Sequence, residues 1–239
     1  MSRQLHIVCG GRGGTGKTLI AWLLMQYLED NGWDPLAVDA DVCSATLSSF
    51  AALRTRQLAA EDDLLTCMQE ICTDHPGAVV LDLGSVRYLQ VGELLAAVAA
   101  LPEDTILQIM VHMSICGMEL HCETMAQFMA VRQLLQDCGR PCIQVAWVNP
   151  WWGQLREAQE QELLGVMTPG MATLALPDLH GGMQEALLHR VLERRRLLTD
   201  DVSETARGLL PGWMLPGVQL GALRRRLWRS LRLLDEVLR

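Results

Sequence analysis

The run Gly11-Arg12-Gly13-Gly14-Thr15-Gly16-Lys17-Thr18 constrains this chain more than any other, because it dictates what must surround it. It has the form G-x-x-x-x-G-K-T, and such a loop works only when a strand delivers it and a helix leaves from it. Both neighbours are legible. Leu5-His6-Ile7-Val8-Cys9 reads as a short buried strand, and the residues from about Lys17 to Asn31, closed by Gly32, read as a helix. Glycines let successive backbone N–H groups turn inward, and the helix adds its positive N-terminal end, a geometry that suits a phosphate chain. Lys17 is the single Lys among 20 basic residues, the other 19 being Arg. A slim ammonium reaches between phosphate oxygens where a broad, planar guanidinium does not fit. Gly11, Gly13, Gly14, Thr15, Gly16, Lys17 and Thr18 are therefore expected to hold a nucleoside triphosphate. Lys17 would sit on the β- and γ-phosphates and the Thr18 hydroxyl on Mg²⁺.

The rest of the chain repeats strand, turn, helix. Short apolar runs at Leu36–Val38, Ala78–Leu81, Ile106–Val111, Ile143–Val148 and Ala172–Leu176 read as strands. Helical patterns at about 62–73 and 118–138 lie between them. This alternation predicts an α/β fold, a mostly parallel twisted sheet of about six to eight strands with helices on both faces. We expect a single domain over residues 1–239, ending in an amphipathic helix at about 218–239 that Leu209 to Gly217 sets off.

Half of the residues are apolar, yet no stretch reaches the roughly 18 uninterrupted apolar residues of a membrane span. A strand beginning near Leu5 leaves no room for a signal peptide. The eight Cys form no C-x-x-C pair, which with a nucleotide site points to reduced thiols in a cytoplasm. A net charge of −8 makes the whole surface a poor match for a polyanion. The cations gather in two patches, Arg190 with Arg194 to Arg196, and Arg224 to Arg232.

Two strand ends supply carboxylates. Ligands sit at the C-terminal edge of a parallel sheet, so Asp39, Asp41 and Asp82 are expected to converge near the phosphates. Asp82, after Val79-Val80-Leu81, reads as an aspartate acting on Mg²⁺ through water. Strand-terminal Asp residues also serve as simple caps.

Together, Arg12 to Thr18, Val38-Asp39-Ala40-Asp41 and Val80-Leu81-Asp82 resemble the deviant Walker A ATPases, the superfamily of ParA, MinD and the nitrogenase iron protein. Within it the chain looks closest to the TraL proteins of conjugative plasmids. It shares with them Gly16-Lys17-Thr18-Leu19, the run from Asp39 to Phe50, and Asn149-Pro150-Trp151-Trp152-Gly153. The resemblance implies an ATP-dependent homodimer with the nucleotides at its interface, and a protein partner in conjugation or secretion machinery. It implies that Asp39 helps organise Mg²⁺, Asp41 positions the attacking water, Asn149 reads the adenine edge, and Pro177 and Asp178 touch the base. Asn149 also has an ordinary reading as the turn residue of Asn-Pro.

Two departures bear on hydrolysis. Arg12 stands where ParA and MinD carry a second lysine that reaches the partner's phosphates; it would act as an arginine finger or merely bind. Leu19 replaces a Thr or Ser that contacts the α-phosphate. The final helix, with its leucine stripe and basic flank, reads as docked on the domain in preference to a membrane or DNA contact. Such a contact would make the protein peripheral at the inner membrane. His112, Cys116, His121 and Cys122 match no standard zinc spacing. The function expected is a Mg-ATP-dependent dimer switch. A non-hydrolysing ATP-binding module, a partitioning ATPase and a small-molecule ligase are the alternatives.

Overall fold

A computed structural model describes residues 3–102, 105, 107–179, 182–198 and 216–237. Seven strands form one sheet: β1 (Arg3–Cys9), β2 (Pro35–Asp39), β3 (Thr55–Gln57), β4 (Ala78–Asp82), β5 (Leu107–Cys116), β6 (Cys142–Asn149) and β7 (Met171–Ala175). Their order is β3-β2-β4-β1-β5-β6-β7, and every pairing is parallel. The helices are α1 (Lys17–Asp30), α2 (Leu64–Asp74), α3 (Val91–Ala99), α4 (His121–Asp137), α5 (Glu157–Val166), α6 (Met183–Glu193) and α7 (Pro216–Val237).

Side chains alternate along each strand, so a sheet covered on both faces needs two cores. On one face Leu5, Ile7, Val79, Leu81, Ile109 and Val111 pack against α2, α3, α4 and α5. On the other, Val8, Val80, Val145 and Trp147 pack with Trp22 and Leu23 of α1 and with leucines of α6 and α7. On this second face lies a buried polar row. Trp147 Nε1 donates to His112 Nδ1 at 3.0 Å, and His112 Nε2 meets His6 Nδ1 at 3.0 Å. His6 Nε2 in turn meets Gln4 Oε1 at 3.2 Å. The indole can only donate, which leaves the His112 proton on Nε2 and passes the same choice to His6. Both imidazoles are neutral, each with its proton on Nε2.

The leucine stripe of α7 is docked. Leu220, Leu223, Leu227, Leu231 and Leu234 are all buried in the core that α1 and the sheet share. Arg224 pairs with Asp30 of α1, whose carboxylate also accepts from Trp228 Nε1 at 2.6 Å. Of the expected separator at Leu209 to Gly217, residues 209–215 lie outside the described residues, and Pro216 and Gly217 already belong to α7, which starts two residues earlier than expected.

Several elements differ from their sequence patterns. The strand expected at Ile106 to Val111 runs on to Cys116, because β1 and β6 pair it along its length. The helix expected from Met118 starts as a 3-10 turn, Met118–Leu120, because Met118 has a φ of 53° that α-helix excludes. β3 is a polar three-residue edge strand, held by pairing to β2, and carries no apolar signal of its own. α3, α5 and α6 also go beyond the elements read from sequence.

Candidate phosphate-binding site

β1 lies at the sheet's centre, with β4 on one side and β5 on the other, so the loop that leaves its C-terminal end opens at the point where the strand order reverses. That is where open α/β sheets place ligands. Gly16 takes a φ of 96°, a left-handed conformation that glycine adopts without steric cost, and caps α1 with no side-chain hydrogen bond. The first N–H groups of α1 therefore keep no side-chain acceptor, and its first turn carries no acid. Such a helix end attracts an anion.

A cleft of about 280 Å³ follows, lined by Gly13, Gly14, Gly16, Lys17, Thr18 and Leu19 on one side and by Asp41, Ser44, Thr46 and Ser85 on the other. Lys17 is 7 % exposed, and its Nζ donates to the Arg12 carbonyl at 2.6 Å. Burial pulls its pKa below the usual value, while Asp82 and Asp41 draw it back up. A larger groove, about 510 Å³, lies elsewhere, between α1 and the arginines of α7. The chemistry at the loop outweighs its size.

The three aspartates do converge. Asp39 and Asp82 sit opposite each other in the β2–β4 register. Asp82 is 1 % exposed, and neither of its oxygens completes a hydrogen bond among the described residues. Burial pushes its carboxyl up to about 7; the nearby Thr18 hydroxyl draws it part of the way back, and Asp39 adds to the rise. A buried carboxylate without a donor is costly unless something charged is meant to meet it. With the Thr18 hydroxyl alongside, this donor set fits a Mg²⁺ that keeps its waters and takes phosphate oxygens. No group of three or more His, Cys, Asp or Glu among the described residues is arranged to hold a metal, and Mg²⁺ at a phosphate needs none.

Asp39 and Asp41 are otherwise engaged. Asp39 accepts from the backbone N–H of Asp41 at 3.2 Å and of Ser48 at 2.7 Å. It thus pins both ends of the segment 41–48. Asp41 accepts from Cys43 N at 3.0 Å and Ser44 N at 3.3 Å, and from the Ser44 hydroxyl at 2.8 Å. Gly84 lies so close to it that a Cβ there would stand 2.8 Å from the Asp41 carboxylate. A glycine is needed for the segments after β2 and β4 to touch.

Asn149, at the end of β6, reaches the loop. Its Nδ2 donates to the Thr15 carbonyl at 2.9 Å, and its Oδ1 accepts from Trp151 N at 3.1 Å. Trp152 Nε1 donates to the Gly14 carbonyl at 2.8 Å, laying an indole over the loop. Pro177 and Asp178 follow β7 on the same rim, where Asp178 accepts from Gln154 Nε2 at 2.7 Å. Arg12 pairs with Glu123 at 3.4 Å, and Gly11 N donates to Gln127 at 2.9 Å. Sequence reading missed Glu123 and Gln127, which only tertiary closure brings to the site, and Ser48, which lies within the run from Asp39 to Phe50. Trp152 had a signal, its place in the Asn-Pro-Trp-Trp-Gly segment. His112 and His121 lie apart in their bonding: the first in the buried row, the second on the Cys116 carbonyl at 3.3 Å and on Glu162 at 3.0 Å.

A family model described as the CobQ/CobB/MinD/ParA nucleotide binding domain matches residues 6–167. Protein TraL of Escherichia coli is 28% identical over 216 residues, covering 85% of this chain and 88% of that protein. The septum site-determining protein MinD of Pyrococcus horikoshii, complexed with Mg-ADP, superposes with a TM-score of 0.53 at 14% identity, covering 95% of this chain and 96% of that one. A plasmid partition protein from Borrelia burgdorferi gives 0.50 at 11% identity, covering 81% and 98%. At such identities the solved structures carry the fold.

Proposed function

Because the chain belongs to the CobQ/CobB/MinD/ParA nucleotide-binding family, we propose that it is a Mg²⁺-dependent ATPase whose nucleotide switches it between monomer and homodimer. The likeness to TraL supports a role in plasmid conjugal transfer, with a protein of the conjugation or secretion machinery as partner. The observation that carries the reading is Asp82: a buried carboxylate whose one nearby donor is the Thr18 hydroxyl, close to the Lys17 ammonium and to an uncapped helix end.

In this reading Lys17 and the loop amides hold the phosphates, and Thr18 with Asp82 holds the metal. Asp39 acts through the segment it pins. Asp41 would have to exchange its Ser44 contacts to position water, and Arg12 would have to leave Glu123 to reach a partner's nucleotide. Asn149 braces the loop through Thr15 and keeps one amide hydrogen for an adenine edge; Pro177 and Asp178 flank the base. No helix among the described residues is long and apolar enough to cross a membrane, and we place the protein in the cytoplasm. The row Arg225, Arg229 and Arg232 leaves a surface contact with membrane or DNA open, but the leucines a bilayer would want are already buried.

The engaged state of Asp41 and Arg12 favours a second reading, an ATP-binding module that hydrolyses very slowly. Single-turnover hydrolysis on wild type and Arg12→Ala separates the two. Equal, near-zero rates would select the slow module. Calorimetry with Mg-ATP tests the shared premise: wild type should bind and Lys17→Ala should lose at least tenfold in affinity, about 1.4 kcal/mol. A folded wild type that takes up no nucleotide would sink both readings.

A further inference from the structure

Three donors of the loop, one on Lys17 in the cleft and two on Gly11 and Arg12 beside it, are already bonded inside this protein. Lys17 Nζ donates to the Arg12 carbonyl at 2.6 Å, Gly11 N to Gln127 Oε1 at 2.9 Å, and Arg12 Nη1 to Glu123 Oε2 at 3.4 Å. Two of these three acceptors come from one face of α4, where Glu123 and Gln127 are four residues apart and so stand one above the other. They are also joined, since Gln127 Nε2 donates to Glu123 Oε1 at 3.3 Å. The Tyr88 hydroxyl donates to the Gln127 carbonyl at 3.3 Å and fixes this turn of α4 beside Gly11. The first half of the loop is thus tied to a helix that lines no part of the phosphate cleft.

We propose that Glu123 and Gln127 are positioning residues of the phosphate loop, internal competitors for donors that a terminal phosphate would otherwise take. The inference rests on the nucleotide reading above and adds its regulation. A carboxylate held on Arg12 neutralises the cation and opposes a second anion arriving beside it. A carboxamide on the Gly11 N–H removes one amide from the cradle. A triphosphate that takes these donors, the chain's own at Gly11 and a partner's at Arg12, breaks the contacts and frees one face of α4. Occupancy of the loop is thereby converted into a change on a helix outside the cleft.

The opposite role, a plain structural brace, predicts the opposite sign, so the test is an affinity measurement. Calorimetry with Mg²⁺ and a non-hydrolysable ATP analogue would compare wild type, Glu123→Gln and Gln127→Met, with pyrophosphate as a base-free probe. Glu123→Gln keeps the side chain's shape and removes its charge; Gln127→Met keeps length and removes the acceptor. Both variants should bind the analogue and pyrophosphate more tightly than wild type, by roughly two- to fivefold for an exposed pair and a similar factor for one hydrogen bond. Glu123 is 41% exposed in its side chain, so Glu123→Gln should fold even if Gln127→Met does not, and melting of the ligand-free protein checks this. Equal or weaker binding by a folded Glu123→Gln overturns the inference and leaves the nucleotide reading standing. A wild type that binds neither probe overturns both.

Discussion

Asp82 is the residue at which stability and function pull hardest against each other. Its carboxyl titrates near 7 in the fold because burial disfavours the charge, against about 3.9 in an unfolded chain. Between those values the folded state holds the extra proton, so this group's contribution to stability is fully present below about pH 4. It is lost as pH rises through about 7. Asp82→Asn should therefore stabilise the ligand-free protein at pH 8 by roughly 2–4 kcal/mol, read as a higher urea midpoint. The same substitution should remove Mg²⁺-dependent nucleotide binding. In wild type, that Mg²⁺-dependent part should strengthen with rising pH up to about 7, since the metal needs the ionised carboxylate. A variant no more stable than wild type at pH 8 would mean that Asp82 is solvated or paired in solution. Asp82 and Lys17 could be found from sequence, because their signals are local: a strand end and a loop motif. Glu123 and Gln127 could not, since nothing in the α4 sequence marks which of its polar residues face the loop until the sheet closes.

At the scale of elements, the neutral histidine row on β1, β5 and β6 makes the core sensitive to acid. Burial lowers the His6 pKa to about 3 and holds His112 well below its usual value, the neighbouring His6 adding to the latter. An unfolded chain takes up both protons near pH 6.5, so stability should fall as pH drops below that point, by about 1.4 kcal/mol per pH unit for each imidazole. Urea midpoints at pH 7, 6 and 5 measure this. A His6→Asn, His112→Asn pair, though less stable throughout, should show a shallower slope; an unchanged slope would clear the row of responsibility. α7 offers a packing test. Leu223 is 0 % exposed, so Leu223→Ala should cost about 2–5 kcal/mol, visible as a lower melting temperature. The stripe of α7 and the apolar runs of β4 and β6 were legible because periodicity reports a buried face. β3 was not, since pairing to β2 makes it a strand, and α3, α5 and α6 needed the sheet's faces to fix where their mixed patterns begin and end.

For the whole molecule, the all-parallel sheet gathers the groups of the candidate site on one rim. The phosphate loop, the three aspartates and Asn149 all lie at carboxyl ends of strands. A rim of this kind can be shared by two copies face to face. We expect the ligand-free and ADP-bound protein to sediment as a monomer, and the protein with Mg²⁺ and a non-hydrolysable ATP analogue as a dimer. A mass that ignores the nucleotide would end the switch reading while sparing the site. The single lysine has one more consequence. Apart from the chain's α-amine, this polypeptide offers one nitrogen to acylating reagents, and it lies at the floor of the cleft. Amine-directed labelling, or cleavage by a lysine-specific protease, would therefore act as a meter of whether that cleft is filled, with almost no background from the surface.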